Sequence, residues 1–153
     1  MEYQNVAPIM SLLWSPVAAV TSSWQGRYNA QIAVAIGGAS IIPERPRVVV
    51  QIYKTNFTHE LITNGRALAL NFLATSQLPL IKTFGFTSGR EGDKLAGEKY
   101  HIGKTGSPIL DRCFAYLDCR VINSMDGGDM TCFLLEVVDG GTGIDAEPLW
   151  WSE

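Results

Sequence analysis

The segment Lys54-Thr55-Asn56-Phe57-Thr58-His59-Glu60-Leu61-Ile62 gathers several kinds of hydrogen-bond donor in one short stretch. It follows a β-branched run, Val48-Val49-Val50-Gln51-Ile52-Tyr53, and the spacing of Phe57, Leu61 and Ile62 predicts a short helix opening inside it. A helix N-terminus carries N–H groups without intrahelical partners and the positive end of the dipole. The Lys54 ammonium, the Asn56 amide and the hydroxyls of Thr55 and Thr58 add donors at the same place. Such a set suits a small anion or a phosphate group. Thr and Asn also favour helix starts for their own sake, so an N-capped helix with an exposed lysine explains the same residues.

Other chemistry-bearing residues are sparse. His59 and His101 are the only histidines, and neither has a metal-ligating neighbour at useful spacing, so no metal site is expected. His59, in the first helical turn, suits a surface or capping role as well as that of a base. Neither a dinucleotide GxGxxG, a P-loop nor a GxSxG nucleophile elbow is present. Cys113, Cys119 and Cys132 lack CxxC spacing, which fits a reduced, cytoplasmic protein better than a disulfide scaffold. Cys119 and Cys132 fall in strand-like runs, where cysteine behaves as a small buried hydrophobe.

The elements that must position these groups are mostly strands. Val17 to Thr21 reads as a strand, and Gln25-Gly26-Arg27 as a hairpin turn. Asn29 to Ser40 is a long uncharged run that predicts a buried strand, with Gly37-Gly38 marking a bulge or a close backbone approach. Pro43-Glu44-Arg45-Pro46 is a turn, and Arg47 to Tyr53 a strand. The helix from Phe57 stops near Gly65, and Ala67 to Ala74 is strand-like. Ser76 is placed to cap a second short helix carrying Leu78, Ile81 and Phe84. Glycines between Gly85 and Gly97 predict a mobile surface loop. Leu117 to Val121 and Thr131 to Val138 form a hairpin about Gly127-Gly128-Asp129, and Glu147 to Trp151 supplies a last apolar strand or cap. Six or more strands with helices only in the middle predict a mainly β fold, a split barrel of mostly antiparallel strands with short helical excursions.

The chain of 153 residues is 46% hydrophobic, which predicts one domain over residues 1–153 with a full core. A net charge of -3 and the absence of basic runs argue against nucleic-acid binding. The uncharged stretch Tyr3 to Gly26 is broken by Pro8 and Pro16 and lacks a basic start, so neither a secretory signal nor a membrane span is expected. Leu149, Trp150 and Trp151 form an apolar end suited to covering the barrel or meeting a second subunit.

The order of these segments resembles the flavin reductase-like family, the FMN-binding split barrels. Pro16 to Ser22 looks like its opening strand, Ala39 to Val50 its proline-containing turn and apolar strand, and Lys54 to Ile62 its phosphate-side motif. Asp93-Lys94-Leu95-Ala96-Gly97 is similar to its Asp-Lys-Phe-Ala-Gly loop, and Leu117 to Val121 with Gly128 to Val138 to its last hairpin. The resemblance implies a homodimer binding FMN near the subunit interface, reduced by NADH or NADPH and passing electrons to an acceptor such as an oxygenase. By position, Lys54, Asn56 and Thr58 would hold the phosphate. The backbone of Gln31, Ile32, Ala33 and Val34 would line the phosphate, ribityl chain and ring edge. Ala39 and Ser40 would lie near the pyrimidine end of the ring.

Two departures from the family pattern bear on function. Gln31-Ile32-Ala33-Val34 stands where the family often has Met-Thr-Ala-Ser, leaving backbone groups and the Gln31 amide. Each lost bond to a charged phosphate is worth about 1.5–3 kcal/mol. Gly128-Asp129-Met130 stands where flavin-reducing members often have Gly-Asp-His, and methionine neither hydrogen-bonds a carboxamide strongly nor moves a proton. Met130, with Lys94 from the glycine-rich loop, is the candidate nicotinamide side. Three functions follow for such a chain: an NAD(P)H-dependent flavin reductase, a flavin-carrying electron-transfer protein reduced by a protein partner, or a binding module that has lost flavin.

Overall fold

The computed structural model describes residues 1–13, 15–85 and 93–150. Their elements run α1 (Tyr3–Met10), β1 (Ala18–Trp24), β2 (Arg27–Ala33), β3 (Ile36–Gly38), β4 (Arg47–Tyr53), α2 (Phe57–Gly65), β5 (Ala67–Phe72), α3 (Pro79–Gly85), β6 (Tyr100–Ile102), β7 (Pro108–Leu110), β8 (Ala115–Asp126) and β9 (Met130–Thr142). Short 3-10 turns precede β1 and α3. The mainly β expectation holds.

Seven strands form one antiparallel sheet in the order β2-β1-β5-β8-β9-β4-β3, and β6 pairs with β7 in a separate ribbon. β2 and β3 are the two edges of the large sheet yet follow each other in the chain. The sheet therefore curls until its edges meet, leaving a seam between β2 and the β3–β4 side. The long run from Asn29 does not stay one strand for this reason. It breaks at Val34-Ala35, where the chain crosses the seam and the Ala35 carbonyl accepts the Gln51 N–H at 3.1 Å.

Strand alternation divides the apolar residues into two layers. Val20, Ala33, Val50, Ile52, Leu68, Leu70, Phe133 and Leu135 fill the inside of the curl, which Ile62 of α2 closes. Val17, Ala19, Ala30, Leu73 and Leu110 face outward and are covered by Leu80 and Phe84 of α3 and by Leu95. Two turns fix strand pairing. Gln25 (φ 51°) and Gly26 (φ 76°) both lie in the left-handed region, the backbone of a tight β1–β2 hairpin. Gly128 (φ 98°) turns the β8–β9 hairpin, where the Gly127 N–H reaches the Met130 carbonyl at 2.8 Å.

The second helical region differs in detail from its expectation. The Gln77 side chain, rather than Ser76, accepts the Ala74 N–H, at 2.9 Å. Leu78 faces solvent while Leu80 and Phe84 are buried. α1 has no counterpart in the sequence reading, and it buries none of its residues. At the C-terminal end Pro148 and Trp150 form isolated bridges to Ala74 and Pro16, and Leu149 packs on the outer layer. Trp151 and the centre of the expected glycine-rich loop, 86–92, lie outside the described residues. No described helix is long and apolar enough to cross a membrane.

Candidate functional site

The β4–α2 connection and the tip of the β8–β9 hairpin meet. The Lys54 N–H donates to the Asp129 carbonyl at 3.0 Å, and Tyr53 pairs with Met130. The Lys54 ammonium lies 2.6 Å from Asp126 Oδ1 in an exposed ion pair, which holds the Asp126 carboxyl below the usual carboxylate range. Asn56 precedes α2 with extended backbone but makes no side-chain cap. Its Nδ2 instead donates to Gln31 Oε1 at 2.9 Å. This bond crosses the seam, joining β2 to the far side of the sheet. Thr58 is fully buried, and its hydroxyl accepts from Asn29 Nδ2 at 3.0 Å. Asn29 and Gln31 thus both point from β2 toward the first turn of α2.

The same turn is pinned to β9. His59 Nε2 lies 2.8 Å from Thr131 Oγ1, and the His59 ring packs on Phe133 with centroids 5.6 Å apart. Burial, and next the Lys54 charge, hold His59 below the ordinary histidine pKa, so it is neutral near pH 7.

Gln31, Ile32, Ala33 and Val34 do not share one face. Gln31 and Ala33 point into the curl, whereas Ile32 and Val34 pack toward α3. What they share is a backbone edge. Pairing with β1 occupies alternate residues of β2 and turns the others outward. The outward Ala30 carbonyl accepts from Lys94 Nζ at 3.0 Å, and the Val34 carbonyl from the Ser15 N–H at 2.9 Å and from Ser15 Oγ at 2.6 Å. By the same register Ile32, midway between them, turns its N–H and C=O away from β1.

Lys94 is turned inward. Besides Ala30 its ammonium donates to the Phe84 carbonyl at 2.8 Å, and burial lowers its pKa. Leu95, its neighbour, is 1% exposed, and its N–H donates to Asp93 Oδ1 at 2.9 Å. Residues 93–98 are therefore anchored to β2 and to the end of α3.

Ala39 and Ser40 lie at the other end of β4. The Ala39 N–H donates to the Arg47 carbonyl at 2.8 Å, and Ser40 Oγ accepts the Ile42 N–H at 3.1 Å. A seven-residue strand spans about 20 Å, so this pair is remote from Lys54. At Gly38 a Cβ would meet nothing within 4 Å, which leaves the surface over that backbone open. The structure thus brings Lys54, Asn56, Gln31 and Met130 to one end, Lys94 to the middle of β2, and Ala39 and Ser40 to the far end.

In the sequence Arg27 marks only the end of a turn. Its guanidinium stands 4.4 Å from the Phe57 ring centroid, a second cation beside the start of α2. No spacing rule links Arg27 to Phe57, since the register of β1 with β2 and the docking of α2 create the contact. All three cysteines are free; Cys113 and Cys119 are core residues whose thiols burial pushes up to about 11 and about 12, whereas Cys132, expected to be buried, is only half-buried on β9. No cluster that could hold a metal ion occurs among the described residues.

A family model described as the flavin reductase like domain matches residues 10–153. The high molecular weight rubredoxin of Moorella thermoacetica is 35% identical over 135 residues, which cover 87% of this chain and 58% of that protein. The chain therefore spans little more than half the length of that relative. The ferric-chelate reductase (NAD(P)H) of Archaeoglobus fulgidus is 31% identical over 136 residues, covering 88% of this chain and 79% of that protein. Among solved structures, the FMN-binding protein of Thermus thermophilus with bound p-hydroxybenzaldehyde superposes with a TM-score of 0.78 at 30% identity, covering 84% of this chain and 72% of that one. The matched span takes in every candidate residue above, and this chain belongs to the flavin reductase-like family.

Proposed function

We propose that the chain binds FMN across the seam of the curled sheet and serves as a flavoprotein oxidoreductase, taking electrons from NADH or NADPH and delivering them to an acceptor. The observation that carries this reading is the Asn56–Gln31 hydrogen bond, which joins a cation-rich helix start to β2, an edge strand of the sheet.

The residues present fit the group. Lys54, Arg27 and the second N–H of Asn56 are donors for a phosphate, and Thr58 supports them from beneath by fixing Asn29. The Ile32 peptide edge offers one donor and one acceptor to a flavin ring. The open surface at Gly38, next to Ala39 and Ser40, leaves room for a flat group against the backbone. When bound, the flavin supplies hydride and single-electron chemistry at its ring, while the protein contributes orientation and hydrogen bonding. Lys94 keeps the β2 edge in place. Its two carbonyl partners make it a support for the site, and among the described residues they leave one ammonium N–H for a nicotinamide phosphate. Met130 offers apolar contact at the hairpin tip. The relatives named for FMN binding and for NAD(P)H-dependent reduction support the same reading.

Met130 favours a second reading, a flavin-carrying protein reduced by a redox partner, because the hairpin tip there lacks a proton-transferring side chain. Steady-state oxidation of NADH and NADPH with added FMN separates the two: turnover supports the reductase, and flavin binding without turnover supports the carrier. Absence of flavin binding contradicts both and leaves a binding module.

A second copy of the chain is the proposed structural partner, with an oxygenase or another redox protein as electron acceptor. α1 and the turn after it expose Tyr3, Ile9, Met10, Leu12 and Leu13, and Trp150 is 60% exposed. Apolar surface of this extent suits a subunit contact. A monomer mass by light scattering at micromolar concentration would contradict the dimer. Three free thiols suit a reducing compartment, and the cytoplasm is the proposed location.

A further inference from the structure

Four arginines gather at the Arg47 end of the large sheet. Arg120 on β8 stands opposite Glu136 on β9, and Glu136 in turn stands opposite Arg47 on β4. Arg66 immediately precedes β5, where its carbonyl accepts the Val121 N–H at 3.0 Å, and Arg45 lies in the turn before β4. β5, β8, β9 and β4 are neighbours, so the band is about 14 Å long. Arg45, Arg66 and Arg120 are exposed and Arg47 is half-buried. Among the described residues no ion pair engages any of the four. Only Glu44 and Glu136 oppose them there, which leaves a locally positive surface on a chain of net charge -3.

Apolar surface lies within the band. An open groove of about 410 Å³ runs between Arg45, Arg47 and Glu136 and is lined also by Pro46, Val137 and Ile122. A bulge in β8 aims Ile122 there. Val121 pairs with Leu135 and Asn123 with Leu134, so Ile122 is the extra residue, 42% exposed. From the band toward the hairpin tip the outer sheet face continues through Val49 and Leu134, which pair across β4 and β9. Both are half-buried and belong to neither core layer.

We infer that this band docks the acidic face of a one-electron carrier protein, which draws electrons from flavin held in the adjoining site. Guanidinium forks pair with carboxylates in two-point contacts. An apolar centre with a charged rim is the anatomy of a protein–protein contact. A nucleic-acid backbone would bring its phosphates against Glu44 and Glu136, whereas a protein face carries both signs of charge. The Ala39 N–H donates to the Arg47 carbonyl, so the band adjoins the proposed ring end of the flavin site. The inference therefore rests on the flavin function above. Two oxidised carriers each gain one electron, and reduced FMN loses two and releases its ring protons to water. Rim cations of this kind speed encounter and make it salt-dependent.

The soluble domain of cytochrome b5, an acidic one-electron acceptor, and cytochrome c, a basic one, are the probes. Calorimetric titration of the flavin-free chain with ferric cytochrome b5 at low ionic strength should give saturable binding that weakens severalfold at physiological salt. The Arg45→Gln/Arg120→Gln variant should lose about tenfold or more in that affinity while keeping its melting temperature and its FMN quenching. Arg45→Lys/Arg120→Lys, which keeps the charges, should lose less. With FMN bound and reduced beforehand, stopped-flow reduction of cytochrome b5 should slow in the glutamine variant, and that of cytochrome c should not.

The docking surface is overturned if cytochrome b5 gives no saturable heat, if cytochrome c binds as tightly, or if the glutamine variant binds cytochrome b5 unchanged. It is also overturned if the unaltered chain is a dimer and the glutamine variant a monomer by light scattering, which would assign the band to a second copy. FMN binding without cytochrome b5 binding overturns the surface alone. Cytochrome b5 binding without FMN binding overturns the flavin function and leaves a surface for acidic proteins.

Discussion

Asn56 Nδ2 and Gln31 Oε1 are 2.9 Å apart, and this bond ties the start of α2 to the β2 edge of the curled sheet. Gln31 is 6% exposed, so losing its partner strands a nearly buried carbonyl oxygen. Asn56→Ala should cost about 1–3 kcal/mol of stability, or a fall in melting temperature of roughly 2–4 °C per kcal/mol. Asn56 makes no side-chain cap, so the loss reports on the seam rather than on the helix. The Gln31→Leu/Asn56→Leu variant should recover part of it, since removing both polar partners is less costly than removing one. Thermal unfolding of the three proteins checks the order.

Asp126 competes with any phosphate for Lys54. The ion pair is exposed, so its contribution to stability is small. Asp126→Asn removes the competing charge while keeping an acceptor for the Gly128 N–H, which Asp126 Oδ1 accepts at 2.8 Å, and should raise FMN affinity severalfold with little change in melting temperature, as read by flavin fluorescence quenching. An unchanged or weaker affinity would remove Lys54 from the phosphate site.

His59 makes stability depend on pH with a definite sign. Its folded pKa lies below the unfolded value of about 6.5, so the unfolded chain binds the proton first on acidification. The stabilisation it gives is fully present above about pH 6.5 and declines as pH falls through the depressed folded value. The urea midpoint should therefore drop from pH 7 to pH 5, and His59→Gln should flatten that limb.

Lys94→Met keeps the length of the stem and removes the donor to the Ala30 and Phe84 carbonyls. It should destabilise by about 1–3 kcal/mol. It should also speed hydrogen exchange at the Leu95 and Glu98 amides, which close the 93–98 turn. Unchanged exchange there would mean that the ammonium does not hold the loop.

Local signals explain what the sequence made legible. The β-branched run Arg47 to Tyr53 became β4 with the expected limits, and Phe57, Leu61 and Ile62 became the buried face of α2. The Gln25-Gly26 and Gly127-Gly128 turns stood out because Gly26 and Gly128 take positive φ, which favours glycine; Gln25, also at positive φ, carries no such mark. Features set by closure of the sheet left no such mark. The break at Val34-Ala35 exists because β2 and β3 occupy opposite edges, and no residue there forbids continuing the strand. α1 was missed because it buries nothing, so no periodic core face records it. Within the site, Lys54 and Asn56 were readable from their place before a helix. The Arg27–Phe57 stack and the inward turn of Lys94 depend on packing between elements distant in sequence.

The central claim is that flavin binds across the Asn56–Gln31 seam, and FMN titration followed by flavin fluorescence tests it most directly. Saturable quenching at micromolar or lower concentration is predicted for the unaltered chain. Lys54→Ala/Asn56→Ala should weaken it about tenfold or more through lost phosphate contacts. No saturable quenching at high FMN, or equal affinity in the double variant, would contradict the account.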